Sequence, residues 1–287
     1  MLRRFFTAAA VVILVSVSCH AQKTYNDTVR YENGMAKEVF STVDGVRCGP
    51  YRYYYPNGVL GQEAVFVAGV LHGPFAMYYP EGGIRVRCDY RGGLRHGLMR
   101  LYGENGALLE TLNFVDGEIR GENVRYYSTG ERNVSATRIG DLWQGVAVTY
   151  YKSGRVQAVA QYIDGRKHGV MTTYFDNDSS TVMNVSQYVD DVRTGDYVAY
   201  YSNGRVAERG RYEGGVRTGV WVSFHPDGTT LYTTGRYVDG CYSGLWRIYK
   251  PDGSLKQTSV FHYGLEHGSV DYSGGKNVLY FMGSPVR

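Results

Sequence analysis

The residues best suited to chemistry are four histidines that recur at one position of a periodic pattern. They are His72, His96, His168 and His267, each followed by glycine. Imidazole nitrogens bind transition metals, so such a column suggests a metal ladder. Successive copies in a sheet would lie ~9.6 Å apart, however, and two imidazoles cannot share an ion bound at ~2.1 Å over that distance. Other copies carry arginine, glutamine or threonine there, so we predict a polar turn residue and no metal site.

The acidic residues also recur, in a context that is typical of turns. In the connections between repeats, acidic residues that directly precede glycine include Asp44, Asp116, Asp164 and Asp239. Asp-Gly is a turn sequence, because both residues tolerate the left-handed backbone conformation. No carboxylate pair stands out from this background as a glycosidase would require. HExxH, GxSxG and phosphate-loop motifs are missing from the sequence, so we expect no catalytic residue, no cofactor and no enzyme.

Of the 28 tyrosines of the chain, 13 lie in two adjacent columns. The first column is aromatic in all nine copies, and we interpret it as packing between repeats: Tyr54, Tyr78, Tyr102, Tyr126, Tyr150, Tyr174, Tyr200, Phe224 and Tyr249. The next residue faces the opposite side of a strand. Its aromatic members are the candidate partner-binding residues: Tyr55, Tyr79, Tyr127, Tyr151, Phe175 and Tyr201. The alternative is that both columns only stabilise a one-layer sheet.

These columns belong to a tandem repeat that covers nearly the whole chain. Its closing glycines are Gly49, Gly73, Gly97, Gly121, Gly145, Gly169, Gly195, Gly219, Gly244 and Gly268. The spacing is 24 residues, apart from one interval of 26 and one of 25. Each unit has a strand, a tight turn such as Pro56-Asn57-Gly58, a second strand and a Gly-x-x-x-Gly connection. We therefore predict an all-β, elongated single twisted sheet of stacked β-hairpins, with about nine full 24-residue units and partial units at the ends.

The repeat between Gly121 and Gly145 departs from the pattern. Arg132 and Arg138 replace apolar and aromatic residues, and Asp141 replaces a glycine. The functional interpretation is a joint or a basic contact site. The structural interpretation, which we favour, is a degenerate repeat whose arginine stems cover their neighbours. An insertion around 178–184 predicts a bulge or a longer turn.

The N-terminal segment 1–21 has the features of a signal peptide. Arg3 and Arg4 precede an apolar stretch from Phe5 to Val17, and small residues allow cleavage after Ala21. An uncleaved anchor and a lipoprotein with lipidated Cys19 remain open. The predicted organisation is then a partial repeat at 22–48, the array at 49–268 and a partial repeat or tail at 269–287. We expect an exported protein of the periplasm, cell envelope or extracellular space.

Charge and cysteine content narrow the partners. The net charge is +4, which becomes +2 without the two leader arginines, and no basic cluster marks a nucleic-acid site. Cys48, Cys88 and Cys241 remain after cleavage, without metal-binding or CxxC spacing. We interpret them as incidental, with one local or intermolecular disulfide as the alternative.

The sequence resembles the MORN repeat family, and most closely its bacterial antitoxin-like variant. The resemblance rests on Tyr-Tyr-x-Asn-Gly at 54–58 and 200–204, followed by Asp-Gly-x-x-x-Gly, in register about nine times. The resemblance implies an elongated sheet of stacked hairpins. It also implies roles in protein binding, scaffolding and sometimes membrane association, with no single activity.

The combined prediction is an exported, non-catalytic module that binds a protein or acts as an envelope scaffold. One alternative is binding of an envelope glycan or lipid through the aromatic hairpins. Another is an antitoxin or immunity-type neutraliser. An unidentified protein is the expected partner, nucleic acid is not, and the open terminal strands allow an end-to-end homodimer.

Overall fold

The computed structural model describes residues 24–272, 278–281 and 284–285. These residues form strands and turns, and none of them is helical. Within these ranges no segment is a long apolar helix of the kind that crosses a membrane. The predicted signal peptide, with Cys19, lies outside the described residues.

The chain divides into two compact units. The first extends to Gly83 and also includes Tyr90–Leu94, and the second comprises Ile84–Asp89 and the chain from Arg95 onwards. The first strands are β1 Thr24–Arg30, β2 Ala36–Val43, β3 Val46–Tyr54, β4 Leu60–Val67, β5 Val70–Leu71, β6 Gly73–Tyr78 and β7 Ile84–Arg91. They are followed by β8 Leu94–Tyr102, β9 Leu108–Val115, β10 Glu118–Tyr126, β11 Arg132–Ile139, β12 Leu142–Tyr150, β13 Val156–Ile163, β14 Arg166–Tyr174 and β15 Val182–Val189. The last are β16 Val192–Tyr200, β17 Val206–Glu213, β18 Val216–Phe224, β19 Leu231–Val238, β20 Cys241–Tyr249, β21 Leu255–His262, β22 Leu265–Asp271, β23 Val278–Phe281 and β24 Ser284–Pro285.

Consecutive strands within each unit pair in antiparallel fashion. In the second unit the series runs without interruption from β8 to β24. In the first unit it runs from β1 through β4 to β6. The prediction of an all-β chain of stacked hairpins is therefore confirmed.

Two different turns alternate along the chain. The turn inside a repeat is a three-residue type, in which Gly58 (φ 80°) donates its N–H to the Tyr55 carbonyl at 2.9 Å. The turn between repeats, which we call the connecting turn, has two residues with positive φ, as at Asp116 (49°) and Gly117 (88°). These angles define a type I′ turn, whose twist matches that of the flanking strands.

The closing glycines lie inside strands rather than in the connections between repeats, which corrects the repeat boundary drawn from sequence. Ala136 pairs with Ala147 while Thr137 pairs with Gln144. Gly145 and Val146 are therefore left without a partner on that side, which is a β-bulge. Glycine is favoured there because the bulged residue has φ 73°. The connection itself is a two-residue turn that ends four residues before the closing glycine, as Gly140-Asp141 does before Gly145.

The extra residues near 178–184 form the longer turn that the sequence predicts. Phe175 donates its backbone N–H to the Thr181 carbonyl at 2.8 Å, and Ser180 donates to Asn177 at 3.1 Å. Strand β15 then resumes at Val182.

One row of positions along the hairpins is the most buried part of the structure. The row contains the residue two positions after each closing glycine, such as Ala147 after Gly145. It also contains the residue of the following strand that pairs with that position, such as Ala160. Its buried members in the first unit are Tyr51 and Ala64, and in the second Cys88, Met99, Leu112, Asn123, Ala136, Ala147, Ala160, Ser186, Trp221 and Ser259. Asn123 is only 2% exposed, and its amide donates to Glu110 Oε1 (3.0 Å) and to the Thr111 carbonyl (2.8 Å). We call this set the buried row.

Large residues of the buried row are opposed by very small ones. Trp221 pairs with Gly235 and Tyr197 with Gly210, whereas Ala147 pairs with Ala160. The rings also cover the glycine of the preceding repeat: a Cβ on Gly235 would lie 2.0 Å from Trp246 Cδ2. These glycines are therefore required for space, because neither has a positive φ.

We predict that Gly235→Ala lowers the stability of the protein by about 2 kcal/mol. Removing a glycine from an ordinary strand conformation would by itself stabilise the chain slightly, so a net loss reports the clash with Trp246. The measurement is the denaturant midpoint of the full-length protein. Trp246→Leu in the Gly235→Ala background should recover part of the loss, and an unchanged midpoint for Gly235→Ala would contradict this packing.

Candidate functional site

The tyrosines of the candidate partner-binding column link consecutive repeats through their hydroxyl groups. Each hydroxyl donates to the backbone carbonyl of a residue 23 positions later, at 2.7–2.9 Å. The pairs are Tyr31 with Tyr54, Tyr55 with Tyr78, Tyr127 with Tyr150, Tyr151 with Tyr174, and Tyr201 with Phe224. We call this series the tyrosine ladder. It fastens the mid-repeat turn of one hairpin to the next.

The tyrosine ladder is interrupted where the side chain cannot donate. Gly103 and Phe175 stand at ladder positions and have no hydroxyl group. His225 replaces tyrosine in a later repeat, and its Nε2 lies 3.1 Å from the Tyr249 carbonyl. Tyr79 is half-buried like the other members. The ladder rungs are therefore absent at Gly103 and Phe175.

The two tyrosine columns differ in role but not in burial. Tyr54 and Tyr55 are both half-buried, as are the other members of their columns. The Tyr55 ring contacts that of Tyr53 at 5.6 Å, which places it on the face of the buried row rather than on the opposite side. The first column supplies the carbonyl oxygens that accept the ladder bonds. Binding of a partner by the Tyr55 column stays a prediction.

The opposite ends of the hairpins carry a second series of bonds between repeats. In most connecting turns the second residue donates its N–H to a carbonyl 22 to 24 residues earlier; in the Gly140-Asp141 turn the first residue donates instead, to the Ile119 carbonyl at 2.7 Å. Examples are Gly117 to Arg95 (2.9 Å), Gly165 to Trp143 (2.9 Å), Gly215 to Arg193 (2.9 Å) and Gly240 to Arg217 (3.1 Å). A turn amide on an exposed edge would otherwise bond to water. We call this series the turn ladder.

In several repeats an aliphatic residue at the start of one strand lies against the second residue of the next connecting turn. A Cβ built on Gly69 would lie 3.2 Å from Val46, and one on Gly165 would lie 3.1 Å from Leu142. A side chain there would require the aliphatic neighbour to shift, and the positive φ also favours glycine. In two connecting turns the second residue is aspartate instead of glycine, Asp141 and Asp191. The residue one repeat earlier that would lie against it is then charged rather than aliphatic: Glu118 for Asp141 and Arg166 for Asp191. The unusual Asp141 is thus accompanied by a charged residue, Glu118, at the position that is aliphatic in other repeats.

The histidine column also contacts the next connecting turn. His72 Nδ1 accepts the Gly92 N–H at 3.4 Å, and His96 and His168 each approach a turn aspartate at 3.7 Å. Gln144 makes the same link, accepting the Asp164 N–H at 2.7 Å. No cluster of metal-ligating side chains occurs among the described residues. The column is thus a polar strand position at the bulge, rather than the turn residue that the sequence predicted.

Aromatic rings and cations alternate along the face of the buried row. Phe114, Tyr188, Tyr212 and Tyr237 belong to one column of the second strands, and cations of the neighbouring strands lie over them. The pairs are Arg95 with Phe114 (5.5 Å), Lys167 with Tyr188 (5.6 Å), Arg193 with Tyr212 (4.9 Å) and Arg217 with Tyr237 (5.5 Å). Such contacts stabilise by about 0.5–2 kcal/mol each, depending on exposure. We call the positions of these cations the cation column.

The irregular repeat also places a cation beside an aromatic ring, but with the two residue types in each other's columns. Arg138 stands in the aromatic column and is paired with Trp143, which stands in the cation column. Arg138 is 8% exposed and bonds to Asp141 Oδ1 at 3.0 Å. The Trp143 ring contacts Tyr162 edge-on at 5.0 Å. This burial agrees with a structural role for Arg138, whereas Arg132 is exposed.

A groove of about 450 Å³ opens on this face over the last repeats of the second unit. Its wall contains the densest aromatic cluster of the described chain, formed by Trp221, Tyr237, Tyr242, Trp246 and Phe261. Tyr242 contacts three of these rings at 4.5–5.1 Å. Polar side chains complete the lining: Glu208, Arg217, Ser223, Tyr232, Thr233, Gln257, Ser259 and Glu266. The groove combines apolar surface with charge of both signs, as binding sites commonly do.

Arg217 occupies one end of the groove in a fully satisfied environment. Its guanidinium makes two bonds to Glu208 (2.9 and 3.0 Å) and lies 4.0 Å from the centre of the Trp221 ring. Burial disfavours its charge, but hydrogen bonding to Tyr212 and the charge of Glu208 outweigh that effect and raise the pKa of Arg217. Burial, together with a bond to Tyr242, raises the pKa of Tyr237 to about 12.

The three cysteines of the described chain are free thiols. Cys88 belongs to the buried row at 3% exposed, and burial raises the pKa of its thiol to about 11. Cys241 is exposed and begins strand β20. No disulfide joins Cys48, Cys88 and Cys241, which agrees with the interpretation that these cysteines have no pairing role.

Sequence comparison identifies the repeat. A model of the MORN repeat variant matches residues 47–68 and 95–116. Each match starts just inside one connecting turn and ends at the next, so it spans one hairpin as the structure defines it. These two segments are therefore MORN repeats, and the resemblance to MORN repeats seen in the tyrosine and glycine pattern is confirmed, whereas the antitoxin-like variant stays a prediction. No curated protein matches the chain.

Solved structures add little to this identification. The chain is similar to the TcdB2-TccC3-Cdc42 crystal structure, with 8% identity, 90% of this chain and 19% of that chain covered, and a TM-score of 0.20. It is also similar to the Photorhabdus luminescens Tc holotoxin pore with mutated TccC3, with 10% identity, 91% of this chain and 19% of that chain covered, and a TM-score of 0.21. The chain thus spans about a fifth of these proteins. At such TM-scores the similarity carries no argument.

We predict that Tyr151→Phe destabilises the protein by about 1 kcal/mol, because the Tyr174 carbonyl loses a hydrogen-bond donor. Phe175→Tyr should stabilise it by a similar amount, since it restores the missing rung. Thermal or denaturant unfolding of the two variants measures both effects. Tyr126→Phe is the matched control, since its hydroxyl has no hydrogen bond within the described structure. Equal destabilisation by Tyr151→Phe and Tyr126→Phe would show that the ladder contributes nothing.

Proposed function

We propose that this chain is an exported, non-catalytic protein-binding module, and that the C-terminal groove is its binding site. The aromatic groove is the observation that carries the proposal. Five rings converge there around polar residues, a composition typical of the buried centres of protein interfaces. Export is supported by the leader-like sequence at 1–21. The absence of a catalytic motif from the sequence supports a binding role rather than an enzyme.

The environment of the rings favours a protein segment over a sugar. Trp221 is 2% exposed and its face is covered by Arg217, so it cannot stack on a sugar ring. Tyr242 remains 41% exposed, and its ring lies beside those of Trp246 and Phe261. Rings with polar edges beside a mixed-charge wall suit the side chains of an extended peptide.

The test fills the groove without disturbing the strands. Gln257 lines the groove and pairs with Ile248. Gln257→Phe places a ring in the groove at a position where aromatic residues are well tolerated by strands. The matched control is Asn184→Phe, which occupies the equivalent position of an earlier repeat, paired with Thr173 and outside the groove.

Each variant and the wild type are expressed with the leader and a C-terminal tag in native cells, crosslinked mildly and captured. We expect one stoichiometric protein partner with wild type and Asn184→Phe, and its loss with Gln257→Phe. Mass spectrometry of the captured chain should begin at Gln22 if the leader is removed. Recovery of wall or membrane material without a dominant protein would contradict the proposal and favour a glycan or lipid ligand.

A further inference from the structure

We propose that the groove binds the guanidinium group of an arginine side chain supplied by another molecule. This inference names the chemistry that the proposed protein-binding function would recognise. It rests on that function only for the source of the arginine. The cation site itself follows from the order of residues along the cation column.

The chain contains its own example of the proposed complex one repeat earlier. Arg217 lies over Trp221, is also near the Tyr237 ring, and is held by both carboxylate oxygens of Glu208. Two aromatic rings and one carboxylate therefore hold a guanidinium group on this face. The geometry is a cation–aromatic contact combined with a bidentate ion pair.

The cation column changes character in the last repeats. Its successive members are Lys167, Arg193, Arg217, Tyr242 and Glu266. The first three place a cation over the aromatic column. The last two supply a ring and then an anion instead. Glu266 pairs directly with Phe261 of the aromatic column.

The consequence is a set of rings without a cation. No Lys or Arg of the described chain lies over Tyr242, Trp246 or Phe261, although the rings that correspond to Phe261 in the three preceding repeats, Tyr188, Tyr212 and Tyr237, each have one. Glu266 is exposed at the same wall, without a hydrogen-bond or ion-pair partner among the described residues. Aromatic faces and a carboxylate thus line a groove of about 450 Å³. This arrangement is complementary to a cation.

Guanidinium fits this wall better than ammonium for two reasons. The Tyr242 and Phe261 rings partly face each other, 5.1 Å apart and inclined by 36°, and Tyr242 remains 41% exposed, so a planar group can stack on the exposed part of the Tyr242 ring. The Glu266 carboxylate beside them can accept two parallel N–H bonds from guanidinium. A compact, strongly hydrated ammonium does neither.

The test uses the full-length protein and a pair of nearly isosteric probes. N-acetyl-arginine amide carries the cation, and N-acetyl-citrulline amide replaces the guanidinium by a neutral urea group. We expect the arginine probe to bind with a Kd of about 1 mM, as suits a single side chain. NMR shifts of the Trp246 indole should follow the titration. The citrulline probe should bind at least about 10-fold more weakly.

Two variants locate the site. Glu266→Gln should weaken arginine binding about 5- to 10-fold, whereas Glu118→Gln, an exposed glutamate outside the groove, should have no effect. Tyr242→Arg restores the cation column and should abolish binding by supplying an internal guanidinium. Equal binding of the two probes, or unchanged binding to Glu266→Gln, would overturn the inference.

The source of the cation is tested separately. Choline chloride and N-acetyl-lysine amide, titrated in parallel, report whether a lipid headgroup or an ammonium competes with guanidinium. Either binding more tightly than the arginine probe would overturn the assignment. Arginine binding without a captured protein would leave the site standing and contradict the proposed function. A protein partner that Gln257→Phe loses, with no response to the arginine probe, would contradict only the cation site.

Discussion

The structure depends on hydrogen bonds that cross a whole repeat. A two-stranded hairpin has little core of its own, and pairing of neighbouring strands alone leaves the turns at both edges free to fray. In this chain each connecting turn donates to a carbonyl of the preceding connection, as Gly215 does to Arg193. Tyrosine hydroxyls make the equivalent link at the other edge, as Tyr201 does to Phe224. The turns of each repeat are thereby fixed by its neighbour.

These links explain which positions the sequence keeps constant. The connecting turn needs two residues with positive φ, and its second residue also needs space beside an aliphatic neighbour, so Asp-Gly and Gly-Gly recur. The mid-repeat turn needs a hydroxyl that reaches the next hairpin, so Tyr-Tyr recurs. Where the glycine of a connecting turn is replaced, the aliphatic residue one repeat earlier is replaced too, as Glu118 stands one repeat before Asp141.

Much of the fold was predictable from the sequence because these backbone requirements repeat at a fixed spacing. The period, the hairpins and the longer turn before Val182 all followed from glycine, proline and tyrosine positions. The buried row did not, because its occupants range from tryptophan to glycine. A tryptophan there is opposed by glycine, as in Trp221 with Gly235, whereas another pair consists of two alanines, Ala147 with Ala160. Likewise the groove at Tyr242 becomes visible only once strand register aligns the cation column.

The most direct test of this account is amide hydrogen exchange in the connecting turns. The N–H groups of Gly215 and Gly240 bond across a repeat, whereas those of Gly214 and Asp239, one residue earlier, do not. Slow exchange at Gly215 and Gly240, approaching that of the strand amides, with fast exchange at Gly214 and Asp239, is the predicted result. Equally fast exchange at all four turn amides would contradict the claim that bonds between turns hold the repeats together.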